Sequence, residues 1–338
     1  MFRGKRILVT GGTGSFGHQI VNDLIPYEPA EIRVFSRDEK KQHDMRLEYP
    51  DVKFLTFVIG DVRDAASVRS AMRGIDIVFN AAALKQVPSC EYHVIQAVKT
   101  NILGPHNVIE AALQEDVEKV ITISTDKACE PINAMGISKA MQERLFVSAN
   151  LEKGNKRTVF AGVRYGNVLG SRGSVVPLFK QLAEEGKDLP ITDRLMTRFI
   201  ITLPQSIELV FYAAEHAVGG EMFVKKMPAH TITDLAEIIL ARHGKNENQK
   251  VVEKGIRPGE KIHESLVSPS ESLHCIDQGD YFVILPQISL PDVEAKYGSL
   301  INNLPGPTQQ KSFRYSSENT QRLSKEDLGE LLKNEGWI

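Results

Sequence analysis

Thr125-Asp126-Lys127 closes the apolar run Val120-Ile121-Thr122-Ile123-Ser124, and Met135-Gly136-Ile137-Ser138-Lys139 opens a helix shortly after it. A hydroxyl, a carboxyl and an amine at one strand's C-terminal end form a compact proton-transfer set. A carboxyl held in a partly dry pocket has a raised pKa and can serve as an acid. An amine can serve as a base near neutral pH when burial or a nearby cation lowers its pKa. The alternative is a solvated turn in which Asp126 and Lys127 form an ion pair of little energetic consequence.

A second set lies at the N-terminus. Gly11, Gly14 and Gly17 follow the strand-like run Arg6–Thr10 at the spacing G-x-x-G-x-x-G, with Thr13, Ser15 and Phe16 between them. Such a turn lets backbone approach a pyrophosphate, and the helix it opens offers free N–H groups and the positive end of its dipole. The next strand ends in Phe35-Ser36-Arg37-Asp38-Glu39-Lys40-Lys41. An NAD site usually places an acid there for the ribose hydroxyls. Here Ser36 and Arg37 hold that place, with Lys40 and Lys41 behind them, and hydroxyl, guanidinium and ammonium suit a 2′-phosphate; the expected cofactor is NADP. The alternative is a solvated helix start. Asp61, ending the third strand, can accept from an adenine amine with Val62 against the ring. Its alternative role as a helix-capping acid fits Asp64 better. Ala81 and Ala82, after the fourth strand, are small enough to let a cofactor pass.

These residues need a scaffold that collects strand ends. Apolar runs at Ile7–Thr10, Ile32–Phe35, Phe54–Ile59, Ile75–Phe79, Val120–Ser124 and Val159–Val163 alternate with helical patterns, notably Phe16–Leu24, Asp64–Met72 and Val94–Leu113. The alternation predicts an α/β fold with a Rossmann-like, doubly wound parallel sheet, whose ligands bind at the strands' C-terminal ends. Beyond about residue 170 the pattern loosens. Helices are expected at Val175–Glu185, Pro204–His216 and Thr231–His243, and strands at Glu221–Lys225 and Tyr281–Leu285. The expected organisation is a dinucleotide-binding domain over 1–170 that also receives later segments. A smaller, interleaved α/β substrate lobe follows over 171–285, then a C-terminal arm and helix over 286–338. Residues 286–318, rich in Pro, Gly, Asn and Ser, lack clear periodicity and read as a loop, linker or arm. Ser324–Leu332 reads as a final capped helix.

Composition narrows the class. The chain has 338 residues, 41 Lys and Arg against 43 Asp and Glu, and a net charge of −2. That balance argues against a nucleic-acid-binding stripe. Cys90, Cys129 and Cys275 are far apart, with no metal-ligand spacing and no disulfide framework. No signal-peptide core or run of about 18 apolar residues is present, so no membrane insertion and a reducing cytoplasm are expected.

Together these motifs resemble the extended short-chain dehydrogenase/reductase superfamily of nucleotide-sugar epimerases and dehydratases. The resemblance narrows with Ala82-Ala83-Leu84-Lys85-Gln86-Val87-Pro88, Ser124-Thr125-Asp126-Lys127-Ala128, Arg164-Tyr165-Gly166-Asn167-Val168, Met196-Thr197-Arg198-Phe199 and Arg257-Pro258-Gly259-Glu260-Lys261. This set is similar to the UDP-N-acetylglucosamine 4,6-dehydratases of bacterial surface-polysaccharide synthesis. Met135 stands where relatives often carry a tyrosine, four residues before the lysine. In this it is similar to the capsular branch that dehydrates the sugar and also inverts carbon 5. The resemblance implies a tightly held NADP that takes hydride from carbon 4 and returns it to carbon 6, with loss of water between the two steps.

The same resemblance implies roles. Lys127 is the base at carbon 5, Asp126 the acid for the departing 6-hydroxyl, and Thr125 the partner of the 4-hydroxyl. Lys139 meets the nicotinamide ribose. A thioether carries no proton, so the base at the 4-hydroxyl is left open among Thr125 with a proton path, ionised Asp126 and an ordered water. Lys85 is placed beside cofactor or sugar, Asn101 near the catalytic strand beside the cofactor, and Asn167 on the substrate. Val175, in Ser171-Arg172-Gly173-Ser174-Val175-Val176-Pro177, helps to shape the nucleotide pocket through backbone. Arg198 and Arg257 are diphosphate clamps, and Glu260 accepts from a ribose hydroxyl or fixes Arg257. Lys261 and His263 read as surface charges. Competing readings are a UDP-sugar 4-epimerase, a retaining 4,6-dehydratase and a non-catalytic NADP-binding regulator. Family analogy also implies a homo-oligomer, a dimer or larger.

Overall fold

The computed structural model describes residues 1–171, 173–303 and 311–338; Arg172 and residues 304–310, which belong to the expected pocket motif and arm, lie outside the described residues. Six strands carry the N-terminal half: β1 (Arg6–Thr10), β2 (Glu31–Ser36), β3 (Leu55–Ile59), β4 (Ile77–Asn80), β5 (Lys119–Ile123) and β6 (Val159–Arg164). They pair in parallel in the order β3-β2-β1-β4-β5-β6. Both faces of this sheet are covered, as parallel sheets require. Alternation along each strand divides the two cores: Ile7, Val9, Ile77, Phe79 and Ile121 point into one cluster, and Leu8, Val78 and Val120 into the other. The expected doubly wound parallel sheet is therefore the fold.

The sheet continues past residue 170. The strand Met222–Lys225 adds in parallel beside β6, and the hairpin Cys275–Gln278 with Tyr281–Ile284 closes that edge in antiparallel. A smaller lobe is built over the C-terminal ends of the strands. Its core holds Phe179, Leu235, Ile239, Leu328 and Leu332, contributed by the helices Val175–Glu184, Ile232–His243 and Lys325–Asn334.

Two expectations are corrected. The periodic stretch Val94–Leu113 is not one helix: it divides into Val94–Val98, a π-helical segment Lys99–Leu103 and Gly104–Gln114. Pro105, second in the last piece, has no N–H to give to a carbonyl one turn back, which favours a break in the ladder. Within 286–318, residues Pro291–Asn303 form a helix. Leu290, Val293 and Tyr297 sit at helical spacing and are buried against the sheet domain; the surrounding Pro, Gly, Ser and Asn obscured that stripe.

Candidate active site

The parallel register decides which side chains meet. Thr10 lies opposite Asn80 across β1 and β4, and Asn80 lies opposite Thr122 across β4 and β5. Each is the polar residue at or near the end of an apolar run, and all three are buried. They form a chain: Thr10 Oγ donates to Asn80 Oδ1 at 2.9 Å and accepts from Ala82 N at 3.2 Å, and Asn80 Nδ2 donates to Thr122 Oγ at 3.3 Å. Gln142, on the helix Ala134–Glu152, donates to Thr122 Oγ and accepts from Lys139 Nζ at 2.7 Å. Lys139 Nζ also donates to the Ile123 carbonyl at 2.5 Å. Burial pushes the Lys139 ammonium down to about 8, against the opposing pull of Glu143. Sequence reasoning missed Thr10, Asn80, Thr122 and Gln142; a polar residue interrupting an apolar strand was the available signal.

A cleft of about 590 Å³ opens over these strand ends. Its walls include Gly11, Thr13, Gly14, Ser15, Phe16 and Gly17 from the first turn, Ser36 and Arg37 from β2, and Asp61 and Val62 after β3. Ala81, Ala82 and Lys85 line it after β4, and Thr125, Lys127, Met135, Lys139 and Asn167 line its far end. A side chain at Gly11, whose φ is +65°, would meet the backbone of Ala82 at 2.9 Å. The turn therefore tolerates only glycine there, and it leaves backbone rather than side chain facing the cleft.

The second-strand cations divide. Arg37 and Lys41 line the cleft, whereas Lys40 is 81% exposed and pairs with Asp44 at 2.6 Å on the helix Glu39–Glu48. Of the two lysines expected there, Lys41, which also pairs with Asp38 at 3.1 Å, faces the cleft and Lys40 does not, because the helix turn separates consecutive side chains. Asp61 is gripped by Arg63 at 2.5 Å and lies 3.5 Å from Arg37. Burial would raise its pKa, but the two guanidinium groups hold it below the usual range. Asp64 caps the helix Ala65–Met72 through Ala66 N at 3.0 Å.

At the far end, Thr125 caps a single 3₁₀ turn, Asp126–Ala128. Thr125 Oγ donates to Asp126 Oδ1 at 2.9 Å, and Lys127 Nζ donates to the same oxygen at 3.0 Å. Asp126 is 0% exposed, and its Oδ2 has no hydrogen-bond partner among the described residues. It reaches the cleft only through Thr125 and Lys127, which line it. Burial, reinforced by the nearby Glu264 carboxylate, raises the Asp126 pKa despite the adjacent Lys127 ammonium. Lys127 departs from expectation. Burial alone would lower its pKa, but Asp126 on one side and Glu264 Oε1 at 3.2 Å on the other raise it. The amine is therefore set as an ammonium in the resting protein. Sequence reasoning did not single out Glu264, which lies 137 residues from Lys127.

Other expected residues sit elsewhere. Asn101, in the π-helical segment, is buried and braces backbone: its Oδ1 accepts from Leu84 N at 2.8 Å, and its Nδ2 donates to Leu84 O and Ser138 Oγ. π-Helical insertions frequently mark functional sites. Arg198 is buried and commits its guanidinium to the carbonyls of Thr197, Lys261 and Ile262, an arrangement that does not match a diphosphate clamp. Arg257 is half-exposed, 3.9 Å from Glu260, which accepts from Thr192 Oγ at 2.9 Å. Neither Arg257, Glu260, Val175 nor Asn101 lines the cleft. Lys261 is not a surface charge: it is largely buried and donates to Cys129 O at 2.8 Å. His263 also turns inward, its Nδ1 2.8 Å from Thr197 Oγ. Met135 is buried among Cys90 and Ala97, with one side facing the cleft. The three cysteines are free and buried, and no described helix is long and apolar enough to cross a membrane.

A dinucleotide-type glycine turn, a Thr-Asp-Lys set and a helix lysine on one doubly wound sheet define an extended short-chain dehydrogenase/reductase. The sequence model of the polysaccharide biosynthesis protein family matches residues 7–286, and the chain belongs to that family. It is 44% identical over 343 residues to the UDP-glucose 4-epimerase of Rickettsia felis and 45% identical over 344 residues to that of Rickettsia bellii. Each match covers 100% of this chain and 98% of the relative. Among solved structures it is similar to Pen from Bacillus thuringiensis, at 38% identity and a TM-score of 0.90, covering 100% of this chain and 99% of that one. The fold is also that of DesIV, a dTDP-glucose 4,6-dehydratase from Streptomyces venezuelae solved with NAD and TYD. That likeness has 23% identity and a TM-score of 0.70 over 87% of this chain and 97% of that one.

Proposed function

We propose that this protein is an NADP-dependent UDP-N-acetylglucosamine 4,6-dehydratase that inverts carbon 5, serving bacterial surface-polysaccharide synthesis in the cytoplasm as a homo-oligomer. The observation that carries the reading is the pairing at the end of β5 of a buried carboxyl with a raised pKa and an ammonium. Elimination of water from a sugar needs an acid for the departing hydroxyl and a proton carrier at the adjacent carbon. A reaction that only removes and restores hydride at one carbon needs neither.

The cleft fits the dinucleotide. Gly11 and Gly17 leave a backbone cradle for a diphosphate, Arg37 and Lys41 present cations where a 2′-phosphate would lie, and Lys139 faces the cleft beneath β5. When bound, the nicotinamide would accept hydride from carbon 4 and return it to carbon 6. Thr125 Oγ meets the sugar hydroxyls and, as its hydrogen bond to Asp126 reverses direction, gives its own proton to the departing oxygen and takes the Asp126 proton, since Asp126 itself is walled off from the cleft. Lys127 exchanges the proton at carbon 5. Asn167 and Lys85 contact the sugar nucleotide. Met135, lacking a proton, packs against it.

The likeness to the UDP-glucose 4-epimerases of Rickettsia favours a second reading, a UDP-sugar 4-epimerase. One experiment separates the two. The protein is incubated with UDP-N-acetylglucosamine in heavy water and the products followed by NMR, and the dinucleotide released on denaturation is identified. The expected product is a 6-deoxy-4-keto sugar carrying deuterium at an inverted carbon 5, with NADP released. A 4-epimer formed without dehydration would sink the dehydratase reading, and release of NAD would sink the assignment of NADP.

A further inference from the structure

Lys127 poses a chemical problem that the dehydratase reading leaves open. An ammonium cannot remove a proton from carbon 5, and the Glu264 carboxylate at 3.2 Å, with the Asp126 carboxyl oxygen at 3.0 Å, keeps it an ammonium. The amine is freed only if its proton moves to a neighbour. Asp126 is poorly suited, because the reaction needs it already protonated. Among the described residues, the other carboxylate within reach is Glu264. Its Oε1 lies 3.2 Å from Lys127 Nζ, its side chain is 3% exposed, and its Oε2 has no hydrogen-bond partner among the described residues.

The fold holds Glu264 in that position deliberately tightly. Its backbone N donates to Ser317 Oγ at 3.0 Å, and its carbonyl accepts from Ser317 N at 2.8 Å. The preceding Lys261 and Ile262 carbonyls are tied to the buried Arg198 guanidinium, and Lys261 is tied to Cys129 O beside the Asp126–Ala128 turn. The charged groups facing Glu264 are Lys127 and Asp126 from the strand-end turn, Arg198 from the strand Thr197–Ile201, and Lys261 at 4.0 Å from its own loop. Burial would raise the Glu264 pKa, but the Lys127, Arg198 and Lys261 cations hold it below the usual range, so it rests as a carboxylate and holds a proton only transiently. His263, next in the loop, turns away toward Thr197 and Glu318.

We infer that Glu264 is a fourth member of the proton-transfer set, a positioning residue that takes the Lys127 proton as Lys127 takes the proton of carbon 5, and gives it back when carbon 5 is reprotonated. This rests on the dehydratase reading. In the forward step the carbon 5 C–H bond breaks and its electron pair stays on the sugar, to expel the hydroxide that leaves with the Asp126 proton. A new N–H bond forms on Lys127, an existing N–H bond breaks, and an O–H bond forms on Glu264 Oε1. The return to carbon 5 reverses each transfer, so no net proton is gained or lost at Lys127 or Glu264; Asp126 regains one proton from solvent, matching the one the 4-hydroxyl releases when carbon 4 is oxidised.

The test compares wild type, Glu264→Gln and Glu264→Asp for dehydration rate, solvent deuterium entry at carbon 5 and pH profile, with dinucleotide affinity as the check of folding. Glu264→Gln keeps the size but cannot accept the proton. Its kcat is expected to fall about tenfold or more, approaching the ~10²-fold loss typical of a general acid or base, with KM and dinucleotide affinity little changed. Deuterium entry at carbon 5 should fall in parallel. The alkaline limb of its pH profile should move to lower pH, since loss of the neighbouring negative charge makes Asp126 release its proton more readily. Glu264→Asp, which keeps the acceptor, should recover part of the rate. A Glu264→Gln enzyme with the wild-type rate and pH profile overturns the inference while leaving the dehydratase reading intact; a wild type that makes no 6-deoxy-4-keto sugar removes that reading itself. Infrared spectroscopy gives a readout independent of turnover and of the Glu264 variants. The resting wild type should show a protonated-carboxyl band that Asp126→Asn abolishes. A band that survives in Asp126→Asn would place the resting proton on another acid and overturn the inference.

Discussion

Lys139 is a charge held in a nearly dry place, with the Ile123 carbonyl and Gln142 as its partners. Burial depresses its pKa to about 8, so its positive charge is complete well below that value and lost as pH rises through it. In the sugar-free protein, dinucleotide affinity should therefore weaken as pH rises through about 8. Hydrogen bonds to charged groups contribute about 1.5–3 kcal/mol. Lys139→Met should thus weaken binding by about tenfold or more and flatten its pH dependence; titration calorimetry across the range checks both. An unchanged slope in the variant would assign the pH dependence to another group. Thr125, Lys127 and Lys139 sit at the cleft, and Asp126 directly behind it, because a short motif at a strand end stays at that strand end.

The helix Ala134–Glu152 must approach the Asp126–Ala128 turn closely enough to bring Lys139 under β5. Asn133 caps it by accepting from Gly136 N at 2.7 Å, and its amide donates to Gly259 O at 2.7 Å, joining the helix start to the loop that leads to Glu264. A Cβ at Gly136 would collide with the Lys127 carbonyl. Gly136→Ala should therefore displace the turn against the helix, at about 1–3 kcal/mol for an overpacked contact. The expected outcome is a lower urea midpoint together with a large loss of kcat. A variant with wild-type turnover would show that the approach of helix and turn is not needed. At this scale the element types were legible from periodicity. The π-helical segment was not, because a one-residue insertion leaves apolar spacing almost unaltered while redirecting Asn101 onto Leu84.

Across the whole molecule, Arg164 joins the sheet to the C-terminal third. From β6 its guanidinium binds Glu143 at 2.6 Å on the helix Ala134–Glu152 and Glu271 at 2.8 Å in the short helix Pro269–Ser272. Burial would raise the Glu271 pKa, but Arg164 and Ser268 lower it to about 2. A folded-state pKa below the unfolded value of 4.5 contributes stability that is present above 4.5 and is lost as pH falls toward 2. The linked contribution is on the order of 3 kcal/mol at neutral pH. Glu271→Gln should therefore lower stability at pH 7 and reduce the loss on acidification below 4.5, as read by urea unfolding at a series of pH values. An acid limb identical to wild type would assign that stability to other carboxylates.

The sequence by itself determined the parallel sheet, the glycine turn and the position of the Thr-Asp-Lys set, because hydrophobic period and strand-end motifs are local. Tertiary structure alone decided what those groups are chemically. It placed Glu264 against Lys127 and reversed the pKa shift expected of that lysine. It assigned Lys41 rather than Lys40 to the cleft and turned Arg198 from a clamp into a brace for the loop that carries Glu264. Protonation depends on desolvation and on charges that arrive from distant parts of the chain, and neither has a signature in sequence spacing.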